Sequence, residues 1–145
     1  ATLAAALLSA GGADILGNGA QTSLDYSVDA GKLNGANEVY FANASGGGVI
    51  AVTTVWGKFG GPINQRELVE WDMVFDDTDF NWSLNGAIGA MDFDNIATHE
   101  LGHAIGLGHP SNTCTQETMY AYADNGETLK RDLHGGDITG INLLY

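Results

Sequence analysis

The spacing of apolar residues divides the 145-residue chain into a helical start, a strand-rich middle and two later helices. Residues 1–10 carry three leucines on one face of a helix, which the pair Gly11-Gly12 would end. The same apolar stretch also resembles the end of a signal peptide, although it lacks a basic start and an initiator methionine. We favour the helix, and in both cases the chain looks like a piece of a longer precursor.

The middle of the chain has the residue pattern of a β-sheet. Residues 49–56 are apolar and β-branched throughout, and residues 67–75 alternate in two registers. Residues 38–41 form a compact strand candidate, and residues 22–28 alternate more weakly. Glycine-rich segments separate these runs, which is typical of strands that are joined by turns.

Two helices are predicted in the second half of the chain. Residues 95–106 follow Asp92 and Asp94, and either carboxylate can cap the helix by accepting from exposed backbone N–H groups. Residues 137–145 place apolar side chains at helical spacing and predict a short closing helix. A chain of this length most simply forms one domain around one core.

Composition narrows the possible partners. Five lysines and arginines stand against 18 acidic residues, which gives a net charge of -13. Electrostatics will therefore not draw the chain to nucleic acid or to an anionic membrane, and no stretch approaches the length of a membrane span. Cys114 is the only cysteine, so no intrachain disulfide forms and we interpret the thiol as structural or incidental.

The candidate chemistry lies in residues 99–109, which read H-E-x-x-H-x-x-G-x-x-H. His99 and His103 are four residues apart, so a helix presents both imidazoles on one face to a single metal ion. Glu100 then points beside the ion, where it can accept a proton from a water molecule. Five fixed positions match by chance with a frequency on the order of 10⁻⁵, so a helix with incidental histidines is the weaker interpretation.

The third histidine of the motif requires the helix to stop. Gly106-Leu107-Gly108 is poor helix sequence, and Gly106 can take the left-handed conformation that ends a helix. This turn can return His109 to the ion. Three neutral imidazoles leave zinc one open position for water, whose pKa the metal lowers to about 7.

This motif, together with Met119 downstream, resembles that of the metzincin zinc endopeptidases, and within them the matrixin (matrix-metalloproteinase-like) group with its microbial members. Residues 133–145, L-H-G-G-D-I-T-G-I-N-L-L-Y, resemble the matrixin closing helix, L-x-x-x-D-I-x-G-I-x-x-L-Y. The resemblance implies an α+β fold in which a twisted mixed sheet carries a backing helix and the active-site helix. Residues 1–145 would form one catalytic domain, with an upper part of about 1–109 and a small irregular lower part of about 110–145 that ends in a helix.

The resemblance also implies a function and its residues. The chain would be a secreted, monomeric endopeptidase that cleaves extended peptides, with zinc on His99, His103 and His109 and with Glu100 as the general base. Met119 would lie under the zinc as an apolar base, not as a ligand. An extended peptide would pair with the edge strand and meet a wall around residues 119–124. The residues expected to contact it are Val49, Ile50, Ala51, Val52, Tyr120, Ala121 and Tyr122.

Two alternatives stay open. Pro110 follows the third histidine, as in the serralysin group, whereas matrixins usually have serine there. Ala121 argues against a serralysin, because serralysins and astacins carry a zinc-ligating tyrosine at that position. The other alternative is a zinc-binding adhesion or recognition module with little turnover, against which the intact Glu100 argues.

A structural calcium site is a further possibility that the resemblance suggests. Asp76, Asp77 and Asp79 offer oxygen ligands at close spacing, near Asp72 and Asn81. They do not match the twelve-residue calcium loop, and a solvated acidic turn after a strand is the alternative.

Overall fold

The computed structural model describes residues 31–44 and 46–145. The helix predicted at residues 1–10 and the strand predicted at residues 22–28 lie outside the described residues. Within the described part, no helix is both long enough and apolar enough to cross a membrane.

A three-stranded mixed sheet forms the upper part of the described fold. β1 (Glu38–Ala42) runs parallel to β3 (Glu67–Asp76), and β2 (Ala51–Lys58) runs antiparallel to β3 on its other side. The order β1–β3–β2 leaves β2 with one edge that no described strand covers. All three strands overlap the segments that the sequence predicts, and the mixed sheet with helices confirms the α+β fold class.

The boundaries of β2 differ from the prediction, which was wrong in beginning this strand at Val49. Val49 precedes the strand because the chain is still turning there, whereas the carbonyl of Ile50 already accepts from the N–H of Asp76 in β3 at 2.9 Å. The N–H of Val49 donates to the carbonyl of Gly46 at 3.1 Å, and Gly46 and Gly48 have φ values of 121° and 87°. The strand instead extends to Lys58, past a register shift after Trp56.

Two α-helices follow the sheet. α1 (Phe93–Ala104) begins earlier than predicted because Asp92, rather than Asp94, caps it: its carboxylate accepts from the N–H of Asn95 at 3.1 Å. α2 (Gly135–Leu144) closes the chain, two residues earlier at its start than predicted. Between β3 and α1, β4 (Trp82–Ser83) and β5 (Met91–Asp92) pair in parallel. Strands of two residues carry no alternating pattern, so the sequence does not reveal them.

The core fixes α1 between the sheet and the C-terminal segment. Met73 and Phe75 of β3 pack with Ile96 and Ala104 of α1, and each fully buried large side chain contributes about 1.5–3 kcal/mol to folding. A second buried cluster joins the end of α1 to α2 through Ile105, Leu133 and Ile141. The helix that carries the first two histidines is therefore held from both sides.

Candidate active site

Three imidazoles converge at the end of α1. The Nε2 atom of His109 lies 3.1 Å from Nε2 of His99 and 3.1 Å from Nε2 of His103. Over residues 31–44 and 46–145, these three side chains form the only group of three or more His, Cys, Asp or Glu residues whose possible ligand atoms lie within 4.8 Å of one another. The structure thus brings together the three histidines that the sequence motif selects.

Backbone carbonyls determine which nitrogen of each helical imidazole carries the proton. Nδ1 of His99 lies 2.7 Å from the carbonyl oxygen of Thr118, and Nδ1 of His103 lies 2.8 Å from that of Leu107. A carbonyl only accepts, so both Nδ1 atoms donate and both Nε2 atoms present bare lone pairs. The Nε2 atoms of His99 and His103 are therefore available to a metal ion.

The spacing of these nitrogen atoms fits zinc. A tetrahedral zinc ion with Zn–N bonds of about 2.0–2.1 Å holds its nitrogen ligands about 3.3–3.4 Å apart. The two 3.1 Å separations lie close to this value. Three neutral nitrogen donors also match the chemistry that zinc prefers, so His99, His103 and His109 could hold the ion.

Removal from water lowers the pKa of two of these imidazoles, those of His99 and His109. His99 is only 7% exposed, and burial is the main reason that its pKa falls from 6.5 to about 3. Burial also lowers the pKa of His109. Because a metal ion competes with protons for imidazole, a lowered pKa leaves the lone pairs available at neutral pH.

The turn after α1 returns His109 to the other two histidines, as the sequence predicts. Gly106 has a φ of 96°, and the N–H of Leu107 donates to the carbonyl of Gly102 at 2.9 Å. The left-handed residue and this backward hydrogen bond are those of a helix end closed by glycine. The helix itself ends at Ala104, two residues before the predicted end.

Glu100 lies beside the histidines and is only 5% exposed. Its Oε2 atom accepts a hydrogen bond of 2.5 Å from the hydroxyl of Thr53 on β2. Burial raises the pKa of Glu100, while the Thr53 hydroxyl opposes this rise. Sequence reasoning missed Thr53, because β2 carries two adjacent threonines, Thr53 and Thr54, and the local pattern does not show which of them meets α1.

Met119 packs against α1. Its side chain is buried against Gly102, which stands between His99 and His103 in the chain, and a Cβ atom at Gly102 would overlap Met119 Sδ. A larger residue at this position of α1 would therefore require the Met119 side chain to move.

Asp137 of α2 holds the methionine segment in place. Its two carboxylate oxygens accept from the N–H groups of Thr118 and Met119 at 2.8 and 3.1 Å. Because the Thr118 carbonyl accepts from Nδ1 of His99, α2 reaches the first histidine through one intervening residue.

One cavity of about 670 Å³ contains the three histidines and Glu100. The end of the Gly46–Gly48 turn and β2 form one side of it, and the segment after Met119 forms the other. All seven residues predicted to contact a substrate line this cavity: Val49, Ile50, Ala51, Val52, Tyr120, Ala121 and Tyr122. Lys130 lines it as well, which sequence reasoning missed because nothing in its local sequence distinguishes it.

The acidic segment after β3 does not form a convergent group in the structure. Asp76 is buried, and its carboxylate accepts from the N–H groups of Ala44, Thr78 and Asp79 at 2.7–2.9 Å. These hydrogen bonds lower the pKa of Asp76. Asp77 and Asp79 are exposed. Calcium binding here stays a prediction.

An α+β fold that brings three histidines together beside a buried glutamate is the arrangement that the resemblance to zinc-dependent metzincins implies. A family model described as Matrixin matches residues 56–145. The chain belongs to the matrixin family, which confirms the resemblance drawn from its motifs.

Similar proteins come from plants, animals and bacteria. The chain is 37% identical over 76 residues to Metalloendoproteinase 2-MMP of Arabidopsis thaliana, covering 48% of this chain and 19% of that protein. It is 39% identical over 69 residues to Matrilysin of Homo sapiens, covering 48% and 25%. It is 35% identical over 69 residues to Karilysin of Tannerella forsythia, covering 48% and 13%. The matched part of the chain thus spans a quarter or less of the length of these three relatives.

Proposed function

We propose that this chain is a zinc-dependent endopeptidase that hydrolyses peptide bonds, with His99, His103 and His109 as the zinc ligands. The observation that carries the proposal is the convergence of three Nε2 atoms, that of His109 lying 3.1 Å from each of the other two, beside a buried carboxylate. Membership of the matrixin family, and relatives named metalloendoproteinases, support the same function.

A bound zinc ion would supply a Lewis acid that lowers the pKa of water to about 7 and polarises a substrate carbonyl. Glu100 would act as the general base, accepting the proton of the attacking water and delivering it to the leaving amine. Burial suits Glu100 to this role, because a raised pKa brings a carboxylate closer to the operating pH. Thr53 would hold one carboxylate oxygen of Glu100 in place through its hydroxyl.

Substrate binding would use the two sides of the cavity. An extended peptide can pair with the uncovered edge of β2 through main-chain hydrogen bonds, as an added strand. Val49, Ile50, Ala51 and Val52 would contact the peptide from this side, and Tyr120, Ala121 and Tyr122 from the other. The histidines and Glu100 lie between, where the scissile bond would lie.

The test of this mechanism is Glu100→Ala, with zinc content and cleavage of casein measured on the same sample. We expect the variant to keep its zinc, because the three histidines are untouched, and to lose cleavage by a factor of about 10² or more. Cleavage at the wild-type rate would contradict the role of Glu100. A wild-type protein that binds zinc and peptide but cleaves nothing would instead favour the recognition module.

Extracellular location, a monomeric state and calcium binding are further parts of the proposal. The matrixin resemblance supports the first two. Asp77 and Asp79 would be the calcium-binding residues because their carboxylates are exposed, whereas Asp76 already accepts three backbone hydrogen bonds.

A further inference from the structure

Lys130 is a lysine in the interior of the substrate cavity. It belongs to the short 3₁₀ turn Leu129–Arg131 and is only 2% exposed, yet it lines the cavity together with the histidines. A buried lysine is uncommon, because removal of its charge from water is costly unless the ammonium group gains partners. Its position therefore requires an explanation that a surface lysine would not.

The partners of this ammonium group are carbonyls in the cavity wall. Nζ of Lys130 donates to the carbonyl oxygen of Tyr120 at 2.6 Å and to that of Tyr122 at 2.7 Å. The same nitrogen lies 5.1 Å from the centre of the Tyr120 ring. The backbone N–H of Lys130 donates to Oδ1 of Asn95 in α1 at 2.6 Å. Lys130 thus joins the helix of the histidines to the opposite wall of the cavity.

Two carboxylates, those of Glu127 and Asp137, act on the positive charge of Lys130. An ammonium group has three donors, and the two carbonyls accept from two of them. The nearest carboxylate oxygen in an ion pair is Oε1 of Glu127, at 3.8 Å, beyond hydrogen-bond length. Among the described residues that line the cavity, Lys130 is the only lysine or arginine, and Glu100 is the only carboxylate.

Lys130 lines the same cavity as the three histidines at the centre of the site. A substrate side chain that enters between the histidines and Tyr122 would therefore approach the positive charge of Lys130, at a place where water screens charges less than it does at the surface.

We propose that Lys130 determines the charge specificity of this cavity, accepting neutral or acidic substrate side chains and excluding lysine and arginine. The inference rests on the proposed endopeptidase function and names a preference of that same site. A basic side chain would bring a second positive charge towards a buried first one and be repelled, whereas a carboxylate would be attracted to that charge. The carbonyls that Lys130 holds also keep the wall at Tyr120 and Tyr122 in one shape.

The test measures binding rather than turnover. Short peptide hydroxamates, whose end group chelates zinc, carry Leu, Gln, Glu or Lys at one position at a time, and their dissociation constants are measured on the zinc-loaded protein. We expect at least one position at which the Lys peptide binds about tenfold or more weakly than the Glu and Gln peptides. A matched series of cleavable peptides is assayed in parallel.

Three variants connect this preference to Lys130. Lys130→Met removes the charge at similar length and is expected to abolish the preference, whereas Lys130→Arg keeps a cation and is expected to retain it. Lys58→Met is the matched control, because it removes one positive charge from an exposed pair with Glu67, where the lysine side chain is 72% exposed. The control is expected to keep the wild-type preference. Circular dichroism and zinc content report whether each variant is folded.

The proposal fails if the wild-type protein binds the Lys peptide as tightly as the Glu peptide at every position, a result that needs no variant to fold. It also fails if folded Lys130→Met keeps the full preference. A preference in binding without any cleavage would leave the assignment of Lys130 standing and would contradict the endopeptidase proposal instead.

Discussion

Among single contacts between residues, the hydrogen bond from Thr53 to Glu100 matters most for the proposed general base. The two residues are 47 positions apart in the sequence and 2.5 Å apart in the structure, where a strand edge meets the active-site helix. Motif spacing identifies Glu100 because the motif is local. It cannot identify Thr53, since that contact exists only after β2 packs on α1.

Thr53→Val should lower kcat, because valine has nearly the shape of threonine and lacks the hydroxyl that orients Glu100. A hydrogen bond to a charged group contributes about 1.5–3 kcal/mol, which corresponds to a loss in kcat of about 10- to 100-fold. KM should change little, because the backbone of β2 is unaltered. Steady-state kinetics on one peptide substrate measure both constants.

Thr53→Ser is the matched control for this change, since it keeps the hydroxyl and removes only a methyl group. We expect it to retain most of the wild-type kcat. Equal kcat values for the valine variant and the wild type would show that the hydroxyl does not position Glu100.

At the scale of elements, the local sequence predicts which strands and helices form, whereas caps, turns and tertiary contacts decide where they begin and end. The three strands of the sheet, the active-site helix and the turn at Gly106 follow from residue pattern and fall near their predicted places. The ends of α1 shift by two residues because capping by Asp92 and the turn at Gly106 decide them. β4 and β5 are too short for periodicity to reveal.

Gly136 illustrates how a tertiary contact explains a departure from the family pattern. Matrixins often have two adjacent aspartates in the closing helix, and here Gly136 stands before Asp137. A Cβ atom at Gly136 would lie 2.8 Å from the carboxylate of Glu117, which accepts from the N–H of Gly136 at 2.8 Å. Glu117 thus supplies a carboxylate at the start of α2 from another part of the chain.

Gly102→Ala should destabilise the protein, although alanine is the better helix former by about 1 kcal/mol. The added methyl group would overlap Met119 Sδ, and overpacking of this kind costs about 1–3 kcal/mol. The sign of the change in the free energy of unfolding therefore distinguishes tertiary packing from helix propensity. Urea unfolding of the metal-free protein measures this free energy.

Gly135→Ala is the corresponding control. Gly135 is the first residue of α2, and no atom lies within 4 Å of the place where its Cβ would be. We expect this variant to be as stable as the wild type or slightly more stable. A Gly102→Ala protein that is also more stable than the wild type would disprove the close packing of Met119 on α1.

At the scale of the whole molecule, the site extends beyond the part of the chain that the family model matches. That match begins at Trp56, whereas Thr53 and the residues at 49–52 line the same cavity as the histidines. Residues from β2, α1 and the segment before α2 meet there, so the site depends on the packing of the entire described fold. The net charge of -13 contrasts with the single buried lysine inside the cavity.

We propose that His99, His103 and His109 hold one zinc ion and that peptide-bond cleavage depends on it. Titration of the metal-free protein with zinc, with peptide cleavage followed at each addition, tests it most directly. We expect no cleavage without zinc. The rate of cleavage should rise linearly with the zinc added and level off at one equivalent per chain. Cleavage at full rate by the metal-free protein, or activity unrelated to the zinc added, would contradict it.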